Sequence, residues 1–159
     1  ISSSISPFVE GETLYSFEAG FKTDLFDKLF RINTAVFYYD YNDMQTGVSF
    51  IDSGTGLTLS DFINIPKTES YGLELEGTWI PTDSFQLMAN YSYQNATVAE
   101  SLNLVDTGFL LPVEQDVSGN SLPKSPENKL ALVGSYYLDT DFGTFTAVAN
   151  WMYYSEQYS

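Results

Sequence analysis

The chain has 159 residues, a formal net charge of -15, and neither cysteine nor histidine. This length predicts a single domain, and the composition excludes disulfides and the usual nitrogen and sulfur ligands of zinc. Six basic against 21 acidic residues argue against a nucleic-acid partner, whose phosphates need clustered Lys and Arg. Because the mean hydropathy is only -0.12 and no window approaches 18 consecutive apolar residues, transmembrane helices are not expected.

Strands with two different faces dominate the sequence. In residues 15–25, 70–80 and 85–94, aromatic or aliphatic residues alternate with polar ones at a period of two. The polar side carries carboxylates such as Glu74 and Glu76, opposite a strongly aromatic side. Twelve Tyr and twelve Phe fit the aromatic girdles of outer-membrane barrels. The pattern predicts an all-β fold: an antiparallel up-and-down transmembrane β-barrel fragment of about six strands, unclosed on its own.

In chain order, the six strands are predicted at about 13–26, 29–44, 68–80, 85–98, 128–138 and 144–154. Tight turns are predicted at Asp27-Lys28, at 81–84 with Pro81, and at 139–143. Longer connections are predicted at 45–67, which can fold back as strand extensions around 57–65, and at 99–127. Connections that alternate short and long are typical of outer-membrane barrels, with the short turns periplasmic and the long loops outside the cell.

The alternation also assigns strand residues to faces. The lipid-facing side is expected to carry Tyr71, Leu73, Leu75, Trp79, Phe85, Leu87, Tyr91, Leu130, Leu132, Phe145 and Trp151. The hydrated lumen is expected to be lined by Glu18, Lys22, Arg31, Glu74, Glu76, Gln86, Asn90 and Asn150.

Catalytic and metal-binding interpretations have little support. Glu74 and Glu76 would lie about 7 Å apart on one strand, which is compatible with glycoside hydrolysis, but charged residues normally line the polar side of such strands. The sequence has no G-x-S-x-G elbow and no P-loop, and residues 116–120 lack the ligand spacing of a calcium loop. We therefore expect no enzyme, no cofactor and no bound metal.

Five stretches carry a family resemblance: YSFEAGFKTDLF at 15–26, AVFYYDYNDMQ at 35–45, YGLELEGTW at 71–79, LMANYSY at 87–93 and SPENKL at 125–130. In this order they resemble consecutive barrel hairpins of TonB-dependent outer-membrane receptors. The resemblance extends over nearly the whole chain. It is specific for the family but not for the substrate, because such strand motifs recur in receptors for different ligands.

The resemblance implies energised uptake of a scarce nutrient, often an iron–siderophore complex, through a barrel of about 22 strands blocked by a plug. Its implied partners are outer-membrane lipid, a small-molecule ligand such as a metal chelate, and the TonB energy-coupling complex, reached through the plug. Residues 1–159 show no secretory signal, plug, TonB box or closing C-terminal strand. The chain is therefore expected to be an internal part of the C-terminal half of such a barrel, in the bacterial outer membrane.

In such a receptor the ligand would first meet the outer loops and the upper lumen. The residues expected to contact it are Tyr39, Tyr41, Gln94, Glu100, Asp106, Glu114 and Asp116. Two other functions remain open at this point. A passive porin or structural barrel needs the same alternation, and a secreted β-sandwich that binds a partner would bury a dry core between two sheets.

Overall fold

The computed structural model describes residues 9–51, 54–100, 102–106 and 113–158. These residues contain eight strands: β1 (Thr13–Leu25), β2 (Phe30–Ile51), β3 (Thr58–Thr82), β4 (Phe85–Val98), β5 (Asn103–Asp106), β6 (Val113–Asp116), β7 (Asn128–Thr140) and β8 (Gly143–Tyr154). Six of them form one antiparallel sheet in the order β1-β2-β3-β4-β7-β8, and β5 pairs with β6. The predicted unclosed sheet of six strands is confirmed. In the described part of the chain, no helix is long and apolar enough to span a bilayer.

Tight turns join the strands at three places. Between β1 and β2, Phe26, Asp27 and Lys28 all have positive φ, and the Leu29 amide donates to the Phe26 carbonyl at 3.0 Å. The other two turns are shorter than predicted. Pro81 belongs to β3 rather than to a turn, and two residues suffice before β4 and again between Thr140 and Gly143. Two-residue loops are the commonest connection of antiparallel neighbours.

The connection predicted at 45–67 is mostly strand: the strand extension expected around 57–65 is part of β3, whereas the strand at 45–51 and 66–67 corrects the sequence interpretation. β2 continues to Ile51 and β3 begins at Thr58, so the two strands reach 22 and 25 residues. The Ser49 and Ser60 hydroxyls lie 3.2 Å apart across this hairpin. Gly, Ser, Thr and Asp made the stretch look like a loop, but antiparallel pairing satisfies its backbone whatever the side chains are.

The stretch 99–127 also has more strand among its described residues than predicted. It contains the short hairpin of β5 and β6, which the sequence did not reveal. Beyond that hairpin the chain pairs again with the end of β4, through a bridge between Thr97 and Ser121. The Val98 amide donates to the Asn120 carbonyl at 3.0 Å, and the Gly119 amide donates to the Val98 carbonyl at 2.8 Å.

Neither face of the six-stranded sheet is covered by a second layer of described residues. Among the described residues, only Ile65, Thr68, Ala96, Val98 and Pro126 are buried. A soluble domain of this length would bury far more of its apolar surface than this. The apolar side chains on the sheet therefore need an environment that the described residues do not supply.

The chain divides into two compact units. Unit 1 holds the described residues of Ile1–Ser16, Tyr39–Glu69 and Thr97–Leu122, and unit 2 comprises Phe17–Tyr38, Ser70–Ala96 and the described residues of Pro123–Ser159. All three tight turns belong to unit 2, whereas the β2–β3 connection and the β5–β6 hairpin belong to unit 1.

Candidate functional site

The strand register in unit 2 separates an apolar face from a polar face. Residues paired across antiparallel strands share a face. On β4, β7 and β8 the apolar face carries Phe85, Leu87, Ala89, Tyr91, Leu130, Leu132, Gly134, Tyr136, Leu138, Phe145, Ala147, Ala149, Trp151 and Tyr153. The opposite, polar face carries Gln86, Asn90, Ser92, Lys129, Ser135 and Asn150, together with several apolar residues considered below.

Aromatic rings extend the apolar face onto β2 and β3. Phe30 stacks on Trp79 with ring centroids 5.8 Å apart, and Trp79 meets Phe85 edge to face at 6.1 Å. Phe26 packs edge to face against Phe30 at 6.1 Å. These four rings form a row across three strands beside the tight turns. We refer to Phe26, Phe30, Trp79 and Phe85 as the aromatic row.

Charged and amide side chains meet on the polar face of β1, β2 and β3. The Arg31 guanidinium binds Asp24 through two nitrogens, at 2.8 and 3.2 Å. Asn33 donates to a Glu76 carboxylate oxygen at 3.0 Å. The Oδ1 atom of Asn33 is buried and has no hydrogen-bond partner in the described residues. A buried acceptor without a donor is costly, so this position would favour a donor from outside the sheet.

An open-sided cavity of about 250 Å³ lies on the polar face between β3, β4, β7 and β8. Its polar lining consists of Glu74, Glu76, Asn90, Ser92, Lys129 and Tyr154. Two carboxylates, an ammonium, an amide and two hydroxyls can bind water, a polyhydroxylated molecule or a charged side chain.

The polar face also accommodates one aromatic side chain at a glycine. A Cβ added at Gly72 would lie 2.7 Å from Cζ of Phe37 and against the carbonyl oxygen of Tyr93. Gly72 has the same strand parity as Glu74 and Glu76, so Phe37 lies on the polar face. On the same face, the Gln94 amide donates to the Ser70 hydroxyl at 3.2 Å.

In unit 1, Glu12 connects β1 to β2. One Glu12 carboxylate oxygen accepts a hydrogen bond from the backbone amide of Gln45 at 2.7 Å. The Tyr41 hydroxyl also bonds to Glu12, and this bond raises the pKa of Tyr41 above its usual value of 10.0. A carboxylate stabilises the neutral phenol that donates to it and repels the phenolate. Tyr39 also makes an interaction, so both tyrosines predicted to contact ligand interact with other residues of the chain.

Asn64 fixes the segment that leads into β1. Its side chain accepts the Glu10 amide at 2.8 Å and donates to the Glu10 carbonyl at 3.1 Å. It also donates to the Asp43 carbonyl at 2.6 Å. Asp43 has a φ of 55° within β2, a conformation that interrupts regular pairing, and Asn64 supplies a partner there. Sequence reasoning missed Asn64, because its role depends on contacts between residues 54 positions apart.

A second group that sequence reasoning missed consists of Asp40, Lys67 and Glu69. The Lys67 ammonium lies 3.1 Å from a carboxylate oxygen of each acid. Both side-chain bonds raise the pKa of Lys67, so it stays protonated at any physiological pH. The sequence around Lys67 gave no indication of its pairing with Asp40 and Glu69. The trio marks a charged position on β2 and β3.

The loop residues predicted to contact ligand are less constrained. Glu100 is exposed. Asp116, the last residue of β6, accepts hydrogen bonds from the Ser118 backbone amide at 3.0 Å and from the Ser118 hydroxyl at 2.9 Å, in the turn that follows the hairpin. Asp106 and Glu114 belong to β5 and β6, and their side chains lie outside the described residues. In the described part of the chain, no group of three or more acidic residues is placed to hold a metal ion.

The predicted site residues therefore fall into two groups. Gln94 and all eight predicted lumen residues belong to unit 2, and the other six predicted ligand residues belong to unit 1. The structure brings Glu74, Glu76 and Asn90 together around one cavity. Lumen exposure and ligand contact themselves stay predictions.

Comparison with known proteins assigns the family. No curated protein matches the chain significantly. The model of the family described as TonB dependent receptor-like, beta-barrel matches residues 3–159. Because this match covers nearly the whole chain and the sheet has the expected all-β, antiparallel form, the chain belongs to the TonB-dependent receptor-like β-barrel family.

Proposed function

We propose that this chain is part of the wall of a bacterial outer-membrane receptor that takes up a scarce nutrient, an iron–siderophore complex, with energy supplied through TonB. The family favours an outer-membrane receptor. The observation that carries the proposal is the division of the sheet into an apolar and a polar face without a second layer of described residues. In an outer-membrane barrel, lipid covers the first face and the interior of the barrel the second.

The apolar face has the dimensions of a bilayer crossing. On β3 it runs from Trp79, in the aromatic row, to Tyr71. This segment of nine residues, about 26 Å along the strand at about 3.3 Å per residue, matches the about 9 to 11 residues that a tilted transmembrane strand needs. Aromatic residues at both limits match the two interfacial girdles. We place the membrane-spanning part of β3 at about 70–80, which leaves Lys67 and Glu69 outside the lipid.

β2 and β3 are longer than a crossing requires. A membrane strand needs about 9 to 11 residues, whereas β2 has 22 and β3 has 25. The additional length suits a hairpin that extends into the external medium and presents Tyr39, Tyr41 and their surroundings to a ligand. Aromatic rings offer a flat apolar contact with a polar edge, which suits chelates that combine apolar and polar surfaces.

The edges of the sheet support a larger barrel. β1 and β8 each have one neighbour within the sheet. In a bilayer, unpaired backbone groups cost several kcal/mol each, so membrane sheets close upon themselves. We propose that further strands of the intact protein pair with β1 and β8, that a plug fills the barrel, and that the plug reaches the TonB complex.

A passive porin is the second candidate, because the two faces alone suit it equally well. The family match favours the receptor. The secreted β-sandwich loses its support, since the described residues form one six-stranded sheet and a separate hairpin rather than two packed sheets.

Uptake measurements test this function. The intact protein would be expressed in bacteria that lack their own siderophore receptors, and uptake of ⁵⁵Fe bound to a hydroxamate, a catecholate or citrate would be followed. We expect saturable uptake of one of these chelates that disappears when TonB is deleted. Unsaturable passage of small sugars into proteoliposomes, with no chelate uptake that depends on TonB, would identify a porin and contradict the proposal.

A further inference from the structure

The cavity on the polar face carries charges of both signs. Glu74 and Glu76 lie on β3, at one side of the cavity, and Lys129 lies on β7, at the other side. β4 runs between these two strands and contributes Asn90 and Ser92 to the lining. Because neighbouring strands lie about 4.8 Å apart, the strands that carry the opposite charges are about 10 Å apart. The cavity thus has an acidic side and a basic side, with uncharged polar groups between them.

The charges of the two sides do not neutralise each other. Within the described part of the chain, the ammonium of Lys129 forms no ion pair. The Glu74 carboxylate likewise has no partner among the described residues, although the Glu74 backbone carbonyl accepts a bond from the Thr34 hydroxyl at 3.1 Å. Water can solvate both charged groups. A ligand that displaces this water must therefore offer a partner to each of them.

Glu76 is held in place by a neighbouring strand. Asn33, on β2, donates to one Glu76 carboxylate oxygen at 3.0 Å. A carboxylate has a second oxygen that accepts further bonds, so Glu76 stays able to bind a donor. An acceptor that is already positioned loses less conformational entropy on binding than a free side chain does. Glu76 therefore supplies a preorganised acceptor on the acidic side, and Glu74 supplies a second negative charge.

The basic side presents three donors in one row across three strands. Ser92 pairs with Lys129 in the register of β4 and β7, and Lys129 pairs with Tyr154 in the register of β7 and β8. Residues paired in this way lie side by side on one face of a sheet. The described partner of the Tyr154 hydroxyl is the sulfur of Met152 at 3.8 Å, a weak acceptor that a carboxylate can replace. We call Ser92, Lys129 and Tyr154 the donor row.

We infer that the cavity binds a zwitterionic end group, in which an ammonium stands beside a carboxylate as in an amino acid. The ammonium lies at Glu74 and Glu76, and the carboxylate lies at the donor row. The inference rests on the proposed function, in which the polar face lines the barrel interior, and it names a chemical class of solute that the wall binds. The cavity of about 250 Å³ is smaller than the about 300–1,000 Å³ of sites that enclose a drug-sized ligand. It therefore takes one end of a molecule rather than the whole.

Ligands with a single kind of charge fit this cavity less well. An organic cation would satisfy the acidic side but would be repelled by Lys129, and an anion would be repelled by Glu74 and Glu76. In the parts of the chain that the structure describes, no group of three or more acidic residues is placed to hold a metal ion. A zwitterion gives each charge of the cavity an opposite partner, and this requirement discriminates against the singly charged classes.

Protection of a thiol in the intact protein tests the inference. The 159 residues contain no cysteine, and Ala131 lines the cavity. Reaction of Ala131→Cys with a water-soluble maleimide should be slowed by γ-glutamyl methylamide, which carries an amino-acid end group. Its N-acetyl derivative keeps only the anion and its α-amide keeps only the cation, so both should need several-fold higher concentrations. Val133→Cys, the next residue on the same face of β7 but outside the cavity, is the matched control and should not be protected.

Charge variants assign the two ends of the zwitterion. In the Ala131→Cys background, Glu74→Gln should reduce the advantage of the zwitterion over its N-acetyl derivative, and Lys129→Gln should reduce its advantage over the α-amide. A misfolded variant would instead lose both advantages together. Glu18→Gln and Lys22→Gln remove charges outside the cavity and should change neither. Equal protection by the three compounds, protection by Mg²⁺ alone, or a thiol at position 131 that does not react with maleimide would overturn the inference.

The thiol measurement is independent of transport, because it needs neither iron nor TonB. TonB-dependent uptake of ⁵⁵Fe together with equal protection by the three compounds would reject only the zwitterion site. Selective protection by the zwitterion together with passive sugar passage and no chelate uptake would keep the site and reject the receptor. The two measurements therefore separate a failure of this inference from a failure of the proposed function.

Discussion

Among the glycines whose surroundings the structure describes, Gly72 leaves the least room for a side chain. In a Gly72→Ala variant, the new Cβ would lie 2.7 Å and 3.0 Å from two carbons of the Phe37 ring and against the Tyr93 carbonyl oxygen. The ring can rotate or shift, but the carbonyl belongs to the neighbouring strand and cannot move without disturbing its pairing. A methyl group at this point therefore separates β3 from β4 locally.

The magnitude follows from a matched control. Overpacking of this kind costs about 1 to 3 kcal/mol of unfolding free energy. Gly134→Ala adds the same methyl on the apolar face, where nothing lies within 4 Å of the new Cβ. Because alanine restricts the unfolded chain more than glycine does, a strain-free Gly→Ala change gains about 0.4 to 1 kcal/mol. Both variants share this gain, so it cancels and the two should differ by the overpacking cost of about 1 to 3 kcal/mol.

The assay is urea-dependent folding of the intact protein into lipid vesicles, followed by tryptophan fluorescence. Adding Phe37→Leu to Gly72→Ala should recover part of the loss, since it removes the ring contacts but leaves the Tyr93 carbonyl. Equal stabilities of Gly72→Ala and Gly134→Ala would show that Phe37 and Tyr93 do not close over Gly72, and the packing of β2, β3 and β4 described above would be wrong.

Three further predictions concern the two faces of the sheet, the β5–β6 hairpin and the ionisation of Tyr41. Leu75→Arg, midway along the apolar face of β3, should lower the free energy of unfolding by about 2 to 4 kcal/mol in the same folding assay. Glu76→Gln keeps an acceptor for Asn33 and should cost little. Equal losses in the two variants would refute the assignment of Leu75 to the lipid face and Glu76 to the interior. Replacing 103–116 by an Asn-Gly turn should weaken binding of the transported ⁵⁵Fe chelate. The barrel should still assemble, because the Val117 amide nitrogen already lies 3.0 Å from the Leu102 carbonyl oxygen. Unchanged affinity would show that the β5–β6 hairpin does not contact the ligand. This deletion stops at Asp116, since Asn120 and Ser121 pair with β4. The pKa of Tyr41 lies above 10.0, so its bond to Glu12 stabilises the fold below that pH and is lost as pH rises through the raised pKa. In a spectroscopic titration, the phenolate absorbance that Tyr41→Phe removes should have its midpoint above pH 10.0. Glu12→Gln should lower that midpoint.

The fold was predictable because residues along a barrel strand alternate between apolar and polar according to the face on which they lie. The period of two in 70–80 and 85–94 identified β3 and β4, and β4 was predicted with the bounds that the structure gives. The outer parts of β2 and β3 were not predictable in this way. Beyond the lipid both faces of a strand meet water, so the alternation fades and the composition resembles that of a loop.

The site was predictable by face but not by contact. Alternation alone placed Glu74, Glu76 and Asn90 on one side, and the structure gathers them around one cavity. The bonds of Asn64 to Glu10 and of Lys67 to Asp40 join residues far apart in sequence, so no local sequence pattern predicts them. The grouping of apolar residues on the polar face was also not predictable, since Val148 and Met152 adjoin Met88 and Val133 only through the strand register.

Collision accessibility of spin labels at two adjacent residues tests the central claim most directly. With the intact protein in lipid vesicles, a nitroxide at position 75 should be relaxed by lipid-soluble oxygen and shielded from a water-soluble nickel chelate. A nitroxide at position 76 should show the opposite preference, because successive strand residues point to opposite faces. The same preference at both positions, or exposure of position 75 to the nickel chelate, would contradict a wall with lipid on one face and the interior of a receptor on the other.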